Sequence, residues 1–377
     1  MKILHWPTSY PDPEYGLPFN LIFIQEHIKS IKPYHDQVVF YISPNPPKNG
    51  KLFQVLRTIE SDVPTTRVYF KKTKISIVNR LIVYGLVLSE FIHLRINHFS
   101  PDIIHIHIFA AGRLPTFISK LLRIPTVVTE HWTALCRDDV LSESRLKLAK
   151  NTYESAAMVL PVCDFLKKNI ILRTQAKIKS KIVFNAVDTN IFNFNNNNHI
   201  KNNQIITVAR LEEAKDIPTL LKAISILDNP KLILKVIGRG NPDELIELSK
   251  DLGISEQVEF LGEQPKNVIA QKMRESDVFV LSSLWENSPC VIGEALCCGL
   301  PVVVTDVGGV SELFTEEEGR LVLPKDPVSI ANGIKYVLNN PENFDREKIA
   351  QNAKQRFGYD AIGQQIDEVY REVTHTN

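Results

Sequence analysis

Short runs of apolar, mostly β-branched residues recur along the chain, and helical stretches separate them. Each run is apolar throughout instead of alternating with polar residues, which is typical of strands covered by helices on both faces. Alternation of strands with helices predicts parallel, doubly wound α/β sheets. About a dozen runs are too many for one ordinary open sheet, so we expect two sheets. The runs lie at residues 2–6, 38–42, 102–108, 126–131, 157–162, 182–186, 205–210, 232–238, 258–261, 278–283 and 302–306.

An asparagine-rich stretch, NFNNNNHIKNN at residues 193–203, has almost no apolar content and is typical of a solvated linker. Residues 1–192 carry 25 Lys and Arg against 15 Asp and Glu, a net charge of +10, whereas the remainder carries 19 against 28, a net of −9. This asymmetry predicts an N-terminal lobe over 1–192 that faces something anionic, and a second lobe over 204–358. Residues 359–373 space their apolar side chains as an amphipathic helix, whose partner its own residues do not identify.

The five cysteines are odd in number and include no Cys-x-x-Cys pair, so reduced thiols in a cytosolic protein fit best. The N-terminus, MKILHWPTSYPDP, has no apolar run of signal-peptide length. The most apolar span, residues 75–96, contains Asn79, Arg80 and Glu90, and we expect it to be a poor transmembrane helix. The expected location is the cytoplasm, with docking on the inner face of the cytoplasmic membrane as an alternative.

The stretch WENSPCVIGEALCCGLP, residues 285–301, predicts a well-capped helix after a strand. Ser288 suits the N-cap, Pro289 the first helical position, and Gly299 the position just past the end. Ligands of open α/β sheets bind at the carboxyl ends of strands. A helix N-terminus at that place offers backbone N–H groups and a positive dipole end to an anion.

Two carboxylates accompany this helix. Glu286 lies just before its start and Glu294 about one and a half turns in. One can therefore reach hydroxyls on one side of a bound phosphate while the other reaches hydroxyls on the opposite side. The competing interpretation is a pair of surface glutamates beside an ordinary helix.

Three more loops follow strands of the second lobe. In VARLEEAKD, residues 208–216, Arg210 ends a strand and Lys215 precedes a helix, so both cations could clamp a diphosphate. Gly238 permits close approach of the backbone to a ligand. DVGGVSE, residues 306–312, is a further glycine turn that leads into a helix. These three loops and the helix start at 285–301 together favour a ligand site in this lobe. Taken alone, Arg210 or Lys215 is more often a solvated charge.

The first lobe offers fewer signals. Gly16 lies in a proline-rich loop after the first strand, where no G-x-G-x-x-G is present, so a nicotinamide site is not expected. His131 directly follows a strand, where a ligand would lie. His105 and His107 share one face of a strand, and we favour packing because no third metal ligand is identifiable.

The segment 67–96 combines cations with an apolar stretch of helix length. The simpler interpretation is a core-facing helix with a basic flank. The alternative is contact with an anionic membrane surface, where each Lys or Arg contributes ~1 kcal/mol. The candidate contacts are Lys71, Lys72, Lys74 and Arg80.

Taken together, these motifs resemble those of retaining glycosyltransferases of family 4, also called group 1. ENSPCVIGEALCCGLPVVVTDVGG resembles the family's Glu-x7-Glu signature, and VARLEEAKD resembles its Arg-plus-Lys phosphate motif. FNAVDTNIF at 184–192 is similar to its Asn-Gly-Val-Asp segment, with Ala186 in place of glycine. The resemblance implies the GT-B fold, with two Rossmann-like domains facing across a cleft. It also implies that a terminal helix at about 359–377 crosses back to the N-terminal, acceptor-binding domain.

The resemblance assigns roles to residues of the second domain, which would bind the nucleotide-sugar donor. Arg210 and Lys215 would bind the diphosphate and stabilise the departing nucleotide. Glu294 would bind ribose hydroxyls and Glu286 the sugar hydroxyls. The backbone at Asn287 and Ser288 would line the sugar and phosphate.

In the first domain, the resemblance implies that Gly16 lets its loop approach the phosphates and that His131 orients the donor sugar. Retention is implied, and the cations and the helix start could replace a divalent metal. We expect no bound cofactor, no metal and no nucleic-acid partner.

The expected activity is transfer of a hexosyl unit from a UDP- or GDP-linked sugar to a lipid-linked or oligosaccharide acceptor in bacterial-type surface polysaccharide biosynthesis. The alternatives are a GT-B isomerase that acts on nucleotide sugars and a non-catalytic nucleotide-sugar-binding protein.

Overall fold

The computed structural model describes residues 1–12, 15, 22–137, 140–195 and 202–375, and the chain divides into two compact units. The first unit consists of Met1–Val162, Lys167–Val183 and Ile362–Asn377, and the second of Cys163–Leu166 and Phe184–Ala361. Each unit has its own sheet, as the two series of apolar runs predict.

The first unit is a seven-stranded sheet with flanking helices. Its strands are β1 (Lys2–Pro7), β2 (Asp36–Ser43), β3 (Phe53–Glu60), β4 (Val63–Phe70), β5 (Ile103–His107), β6 (Thr126–Glu130) and β7 (Met158–Pro161). Its helices are α1 (Ile22–Ile31), α2 (Ser76–Ile96), α3 (Arg113–Leu122), α4 (Glu143–Glu154) and most of α5 (Asp164–Thr174). The strand order is β3-β4-β2-β1-β5-β6-β7, and every pair is parallel except β3 with β4. The strands β5, β6 and β7 are buried along their whole length, which explains their mostly apolar sequences.

The second unit is a fully parallel six-stranded sheet. Its strands are β8 (Gln204–Val208), β9 (Ile233–Ile237), β10 (Val258–Gly262), β11 (Val278–Leu281), β12 (Val302–Thr305) and β13 (Gly319–Val322). Its helices are α6 (Ile217–Leu227), α7 (Asp243–Asp251), α8 (Lys266–Glu275), α9 (Cys290–Cys297), α10 (Pro327–Asn339) and α11 (Arg346–Phe357). The strand order is β10-β9-β8-β11-β12-β13.

Each sheet reverses its strand order beside its first strand. β1 lies between β2 and β5, and β8 lies between β9 and β11. The loops that leave these strands diverge to opposite faces, which opens a crevice at the carboxyl ends. The sites predicted from the sequence lie at these ends.

The terminal helix α12 (Tyr359–His375) packs on the first unit, as the family resemblance implies. The buried Tyr370 hydroxyl lies 2.6 Å from Nδ1 of His105 on β5. Gly363 lies so close to Ser30 of α1 that an added Cβ would collide with the Ser30 carbonyl oxygen. Apolar residues on one face of α12, including Ile362, Ile366 and Val369, are buried.

The structure corrects three expectations about elements. Residues 182–186 form no strand; the chain there follows the edge of β7, with the Val183 N–H donating to Pro161 O at 3.1 Å. The antiparallel β3–β4 pair and β13 were not predicted, because β3 and β13 are only partly buried and lack continuous apolar runs. Residues 184–192 belong to the second unit and not to the first, since Val187 and Phe192 are part of the second unit's core.

Of the two interpretations of the segment 67–96, the core-facing helix holds for only a narrow strip of α2. Only Val87, Glu90 and Leu94 of its 21 residues are buried. By length and composition alone, α2 is apolar enough to cross a membrane, and 17% of its most apolar stretch is buried. The charged residues of 75–96 had suggested a poor membrane span.

Candidate functional site

The loops after β8 and β11 join at the carboxyl edge of the second sheet. The Ser282 hydroxyl, just after β11, donates to the Lys215 carbonyl at 2.8 Å and lies 3.0 Å from that of Asp216. The Leu284 N–H donates to Ala214 O at 2.8 Å. These bonds hold the two loops, which come from distant parts of the sequence, as one surface.

Lys215 and Glu286 meet on this surface. The Lys215 ammonium forms an ion pair with Oε1 of Glu286, and the Ser283 hydroxyl donates to the same oxygen at 2.7 Å. The two charged side chains are 19% and 10% exposed, so their attraction is screened less than that of a surface pair. A carboxylate accepts about four hydrogen bonds and an ammonium donates three, so each group keeps capacity for a ligand.

Arg210 stands apart from this pair. Its guanidinium contacts Glu212 at 3.0 Å and its side chain is 68% exposed. An exposed pair of this kind contributes little stability, so the guanidinium can turn to another anion at small cost.

Two glycines allow neighbouring loops to approach the site. Gly238, after β9, has φ +155°, and a Cβ there would collide with the Ala209 carbonyl oxygen beside Arg210. Gly308, after β12, has φ +60°, and a Cβ there would collide with the Glu286 carbonyl oxygen. Close backbone packing at both places therefore requires glycine. DVGGVSE does form a turn, but a short 3-10 helix, Val310–Glu312, follows it.

The helix α9 begins one residue later than its sequence predicts. Its first residue is Cys290, Pro289 occupies the N-cap, and no side chain caps it. Ser288 is therefore not the cap, since it lies one residue before the cap position. Gly299, with φ +72°, ends the helix as predicted. Glu294 lies in the second turn and is half-buried.

Asn185 supports the start of α9, and the sequence reasoning missed this role. Its side-chain amide donates to the Ser288 carbonyl at 2.8 Å, and it is buried. Asn287, also buried, accepts from the Cys163 thiol at 3.0 Å through its side-chain oxygen. Asn185 lies inside the FNAVDTNIF motif, which is the signal that could have identified it.

His131 follows β6 in the first unit, as predicted. Its ring packs against Phe23 at 4.5 Å and His27 at 5.0 Å between centroids. The residue before it, Glu130, is fully buried and accepts the backbone N–H groups of His131 at 3.0 Å and Trp132 at 2.9 Å. Burial raises the pKa of Glu130, and these hydrogen bonds oppose that shift.

Further hydrogen bonds anchor Glu130 to the rest of the first unit. The Phe109 N–H donates to it at 2.9 Å and the Tyr153 hydroxyl at 2.7 Å. Glu130 therefore fixes the backbone that carries His131. This role was not predictable, because a glutamate at a strand end is ordinarily exposed.

His105 and His107 lie beside a third buried histidine, His5 of β1, contrary to the expectation that no third candidate ligand exists. One ring nitrogen from each of the three lies within 4.8 Å of the others. His5 bonds His107 at 3.1 Å and Gln37 at 2.7 Å, while His105 bonds Tyr370 and Thr129 at 2.6 Å each. Both ring nitrogens of His5 and His105 thus have protein partners, which favours a hydrogen-bonded network of neutral rings.

Two other groups of predicted site residues remain. Gly16 lies outside the described residues. The candidate membrane contacts are all exposed on the segment that leads into α2 or on its first turns; they are Lys71, Lys72, Lys74 and Arg80.

Two doubly wound sheets, the second with cationic and carboxylate side chains at its strand ends, match the architecture of glycosyltransferases with the GT-B fold. The model of the glycosyl transferases group 1 matches residues 188–356, and that of glycosyltransferase family 4 matches residues 36–191. An uncharacterized glycosyltransferase of Methanocaldococcus jannaschii is 30% identical over 72% of this chain and 75% of its own. The chain therefore belongs to the group 1, family 4 glycosyltransferases.

A further relative is named as a glycosyltransferase, and two solved structures share the fold. A D-inositol 3-phosphate glycosyltransferase of Corynebacterium kroppenstedtii is 22% identical over 86% of this chain and 78% of its own. The Anabaena protein HepE, solved with UDP-glucose, is 22% identical, with a TM-score of 0.76 over 99% of this chain and 100% of its own. Sucrose-phosphate synthase of Thermosynechococcus elongatus is 18% identical, with a TM-score of 0.77 over the whole of both chains.

Proposed function

We propose that this glycosyltransferase moves a hexosyl unit, with retention, from a UDP- or GDP-linked sugar to a lipid-linked or oligosaccharide acceptor in surface polysaccharide biosynthesis. The observation that carries the proposal is the cluster of Lys215, Glu286 and Ser283 at the carboxyl ends of β8 and β11. The Anabaena neighbour solved with UDP-glucose supports a nucleotide-sugar donor. A relative of Bacillus subtilis named for teichuronic acid biosynthesis, 27% identical over 62% of this chain and 60% of its own, supports a surface polysaccharide.

The cluster suits the junction between the diphosphate and the sugar of the donor. Lys215 holds Glu286 with one of its three N–H groups and can offer the others to a phosphate oxygen. Glu286 can then accept hydroxyls of the sugar that the phosphate carries. Glu294, four residues into α9, would bind the ribose, and the backbone at Asn287 and Ser288 would line the space between.

The transition state places new charge where these groups lie. Breaking the bond to the sugar leaves positive character on the sugar ring and negative charge on the diphosphate. Lys215, the exposed Arg210 and the N-terminus of α9 oppose the negative charge, so they stabilise the transition state more than the ground state. For His131 we propose the role that the family resemblance implies, orientation of the donor sugar. With these cations in place we propose catalysis without a metal or other cofactor, and we expect full turnover in excess chelator.

The test is thermal stabilisation of the purified protein by UDP, GDP, ADP and CMP, and by UDP- and GDP-sugars. A ligand at 100 times its dissociation constant adds about 2.7 kcal/mol to the free energy of unfolding. We expect one of UDP or GDP to stabilise selectively, and its hexose conjugate to stabilise further. Failure of every nucleotide to stabilise the protein would contradict the proposed donor.

A further inference from the structure

A cavity of about 510 Å³ opens at the carboxyl edge of the first sheet. Its floor includes Thr8 after β1, Ser43 at the end of β2 and Phe70 at the end of β4. Its walls come from the first half of α2 and the start of α3. The cavity therefore lies where open α/β sheets bind ligands, but in the unit that does not contain the Lys215–Glu286 cluster.

The charge of this cavity is one-sided. Lys72, Arg80 and Arg113 line it, and no Asp or Glu is among the described residues that do so. None of these three cations forms a salt bridge with a described residue. Three cations at one cavity without a carboxylate favour an anion with several oxygens, and a phosphate or diphosphate has that chemistry.

An exposed apolar surface adjoins the cavity. On α2 it consists of side chains at helical spacing that are between 42% and 65% exposed, namely Ile77, Leu81, Tyr84, Leu88 and Ile92. Tyr84 also lines the cavity, and its ring lies 6.1 Å from that of Phe117 on α3. Phe117 and Leu121, one helical turn apart, are 54% and 69% exposed. A contiguous apolar surface of this kind on a folded unit marks a site of contact with another molecule.

We propose that the cavity binds the phosphate or diphosphate of a lipid-anchored acceptor, whose hydrocarbon chain lies along the exposed face of α2 and α3 at a membrane surface. The cations and the apolar face together match an amphiphile with an anionic head, and neither feature alone does. The proposal rests on the proposed glycosyl transfer and names its acceptor class, a lipid phosphate instead of a free oligosaccharide.

The experiment measures binding of the full-length protein to phosphatidylcholine vesicles of three kinds: undoped, doped with a polyprenyl diphosphate, and doped with phosphatidylglycerol to equal negative charge. One variant removes the cavity cations (Lys72→Ala, Arg80→Ala, Arg113→Ala). A second makes the face polar (Leu81→Ser, Leu88→Ser). The matched control removes three exposed lysines elsewhere (Lys147→Ala, Lys177→Ala, Lys222→Ala).

We expect the unaltered protein to prefer the vesicles with polyprenyl diphosphate. Each cation at an anionic lipid surface contributes about fivefold in affinity, so loss of all three should weaken this binding by on the order of 100-fold. The control should bind like the unaltered protein, and the polar-face variant should bind all vesicles less. Circular dichroism spectra of all variants should superimpose.

Three results would overturn the proposal. Equal binding to both kinds of doped vesicle would indicate attraction to any anionic membrane. Inorganic diphosphate that binds the cavity as tightly as the polyprenyl diphosphate would indicate a site for the free ion. Binding unaffected by the cavity substitutions would place the lipid elsewhere. Thermal stabilisation by nucleotides is measured without vesicles. If the vesicle experiment fails while nucleotides still stabilise the protein, the acceptor site is rejected and the proposed glycosyl transfer is not.

Discussion

At the scale of single residues, the two carboxylates of the Glu-x7-Glu pair occupy different surroundings. Glu286 shares one oxygen between Lys215 and Ser283 and is nearly buried, whereas Glu294 lies half-buried within α9. If Glu286 binds the sugar and Glu294 the ribose, substitutions of the two residues should weaken the binding of different parts of the donor.

Glu286→Gln and Glu294→Gln test this division. Glutamine keeps the size of glutamate but loses the charge, and hydrogen bonds to a charged group contribute about 1.5–3 kcal/mol. Glu286→Gln should not weaken nucleotide binding, because it frees Lys215 from its ion pair, and it should remove the about tenfold gain in affinity of nucleotide sugar over nucleotide. Glu294→Gln should weaken nucleotide and nucleotide sugar by the same factor. Isothermal titration with both ligands measures this, and identical profiles for the two variants would contradict the assignment.

Lys215 should act mainly in the transition state. Lys215→Ala should lower kcat by on the order of 100-fold, in the range found when one electrostatic contact to developing charge is removed. Donor affinity should fall less, because the negative charge on the leaving diphosphate grows during the reaction. The control is Lys222→Ala, an exposed lysine on α6. Equal losses in kcat and in donor affinity would show that Lys215 binds ground and transition states alike.

At the scale of elements, strands and loops differ in how far the sequence determines them. The buried strands of both sheets were predictable because strands that lie between helices are mostly apolar. The antiparallel β3, half-exposed along its length, carries no such signal. The exposure of α2 was not predictable either, because an apolar helix has the same sequence pattern in a core as at a membrane.

The candidate site, too, could be predicted only in part from the sequence. Arg210, Lys215, Glu286 and Glu294 were identifiable from motifs, but the pairing of Lys215 with Glu286 spans loops 71 residues apart. Only the order of strands in the sheet brings these loops together. The supporting roles of Asn185 and Glu130 could not be predicted either, because these buried side chains have hydrogen-bond partners that are distant in the sequence.

The turn after β12 should control the shape of the Glu286 loop. Gly308→Ala places a methyl group against the Glu286 carbonyl oxygen at φ +60°. Gly253→Ala is the matched control, because Gly253 has φ +68° and nothing within 4 Å of an added Cβ. The control should lose only the about 1–2 kcal/mol that a left-handed alanine costs.

Gly308→Ala should therefore destabilise the protein more than Gly253→Ala and should also abolish the extra stabilisation by nucleotide sugar over nucleotide. Thermal denaturation with and without ligand measures both effects. A Gly308→Ala protein that loses no more than the control would show that the two loops can separate without consequence.

At the scale of the whole molecule, the first unit buries a network of neutral histidines that links β1 and β5 to the terminal helix. Burial lowers the pKa of His5 to about 3, and it also lowers the pKa of His105 and His107 well below the usual value. The neighbouring histidines His27 and His131 add repulsion to the protonated forms. Protonation of any of these rings would place a charge among buried rings whose hydrogen bonds suit the neutral forms.

This network should make the first unit sensitive to acid. The unfolded chain binds a proton at each histidine near pH 6.5, whereas the folded unit does not until much lower pH, so the stabilisation is complete above pH 6.5 and is lost as the pH falls toward 3. Each group contributes a slope of up to about 1.4 kcal/mol per pH unit in that window.

His107→Gln removes one titrating ring and should reduce the slope by about that amount, while the exposed His375→Gln should leave it unchanged. The slope is measured by denaturant unfolding between pH 7 and pH 4.5, followed by tryptophan fluorescence. A Trp285→Phe background leaves only Trp6 and Trp132, both in the first unit, to report the unfolding. A free energy of unfolding that does not change over this range would mean that the histidines bind protons equally in the folded and the unfolded chain.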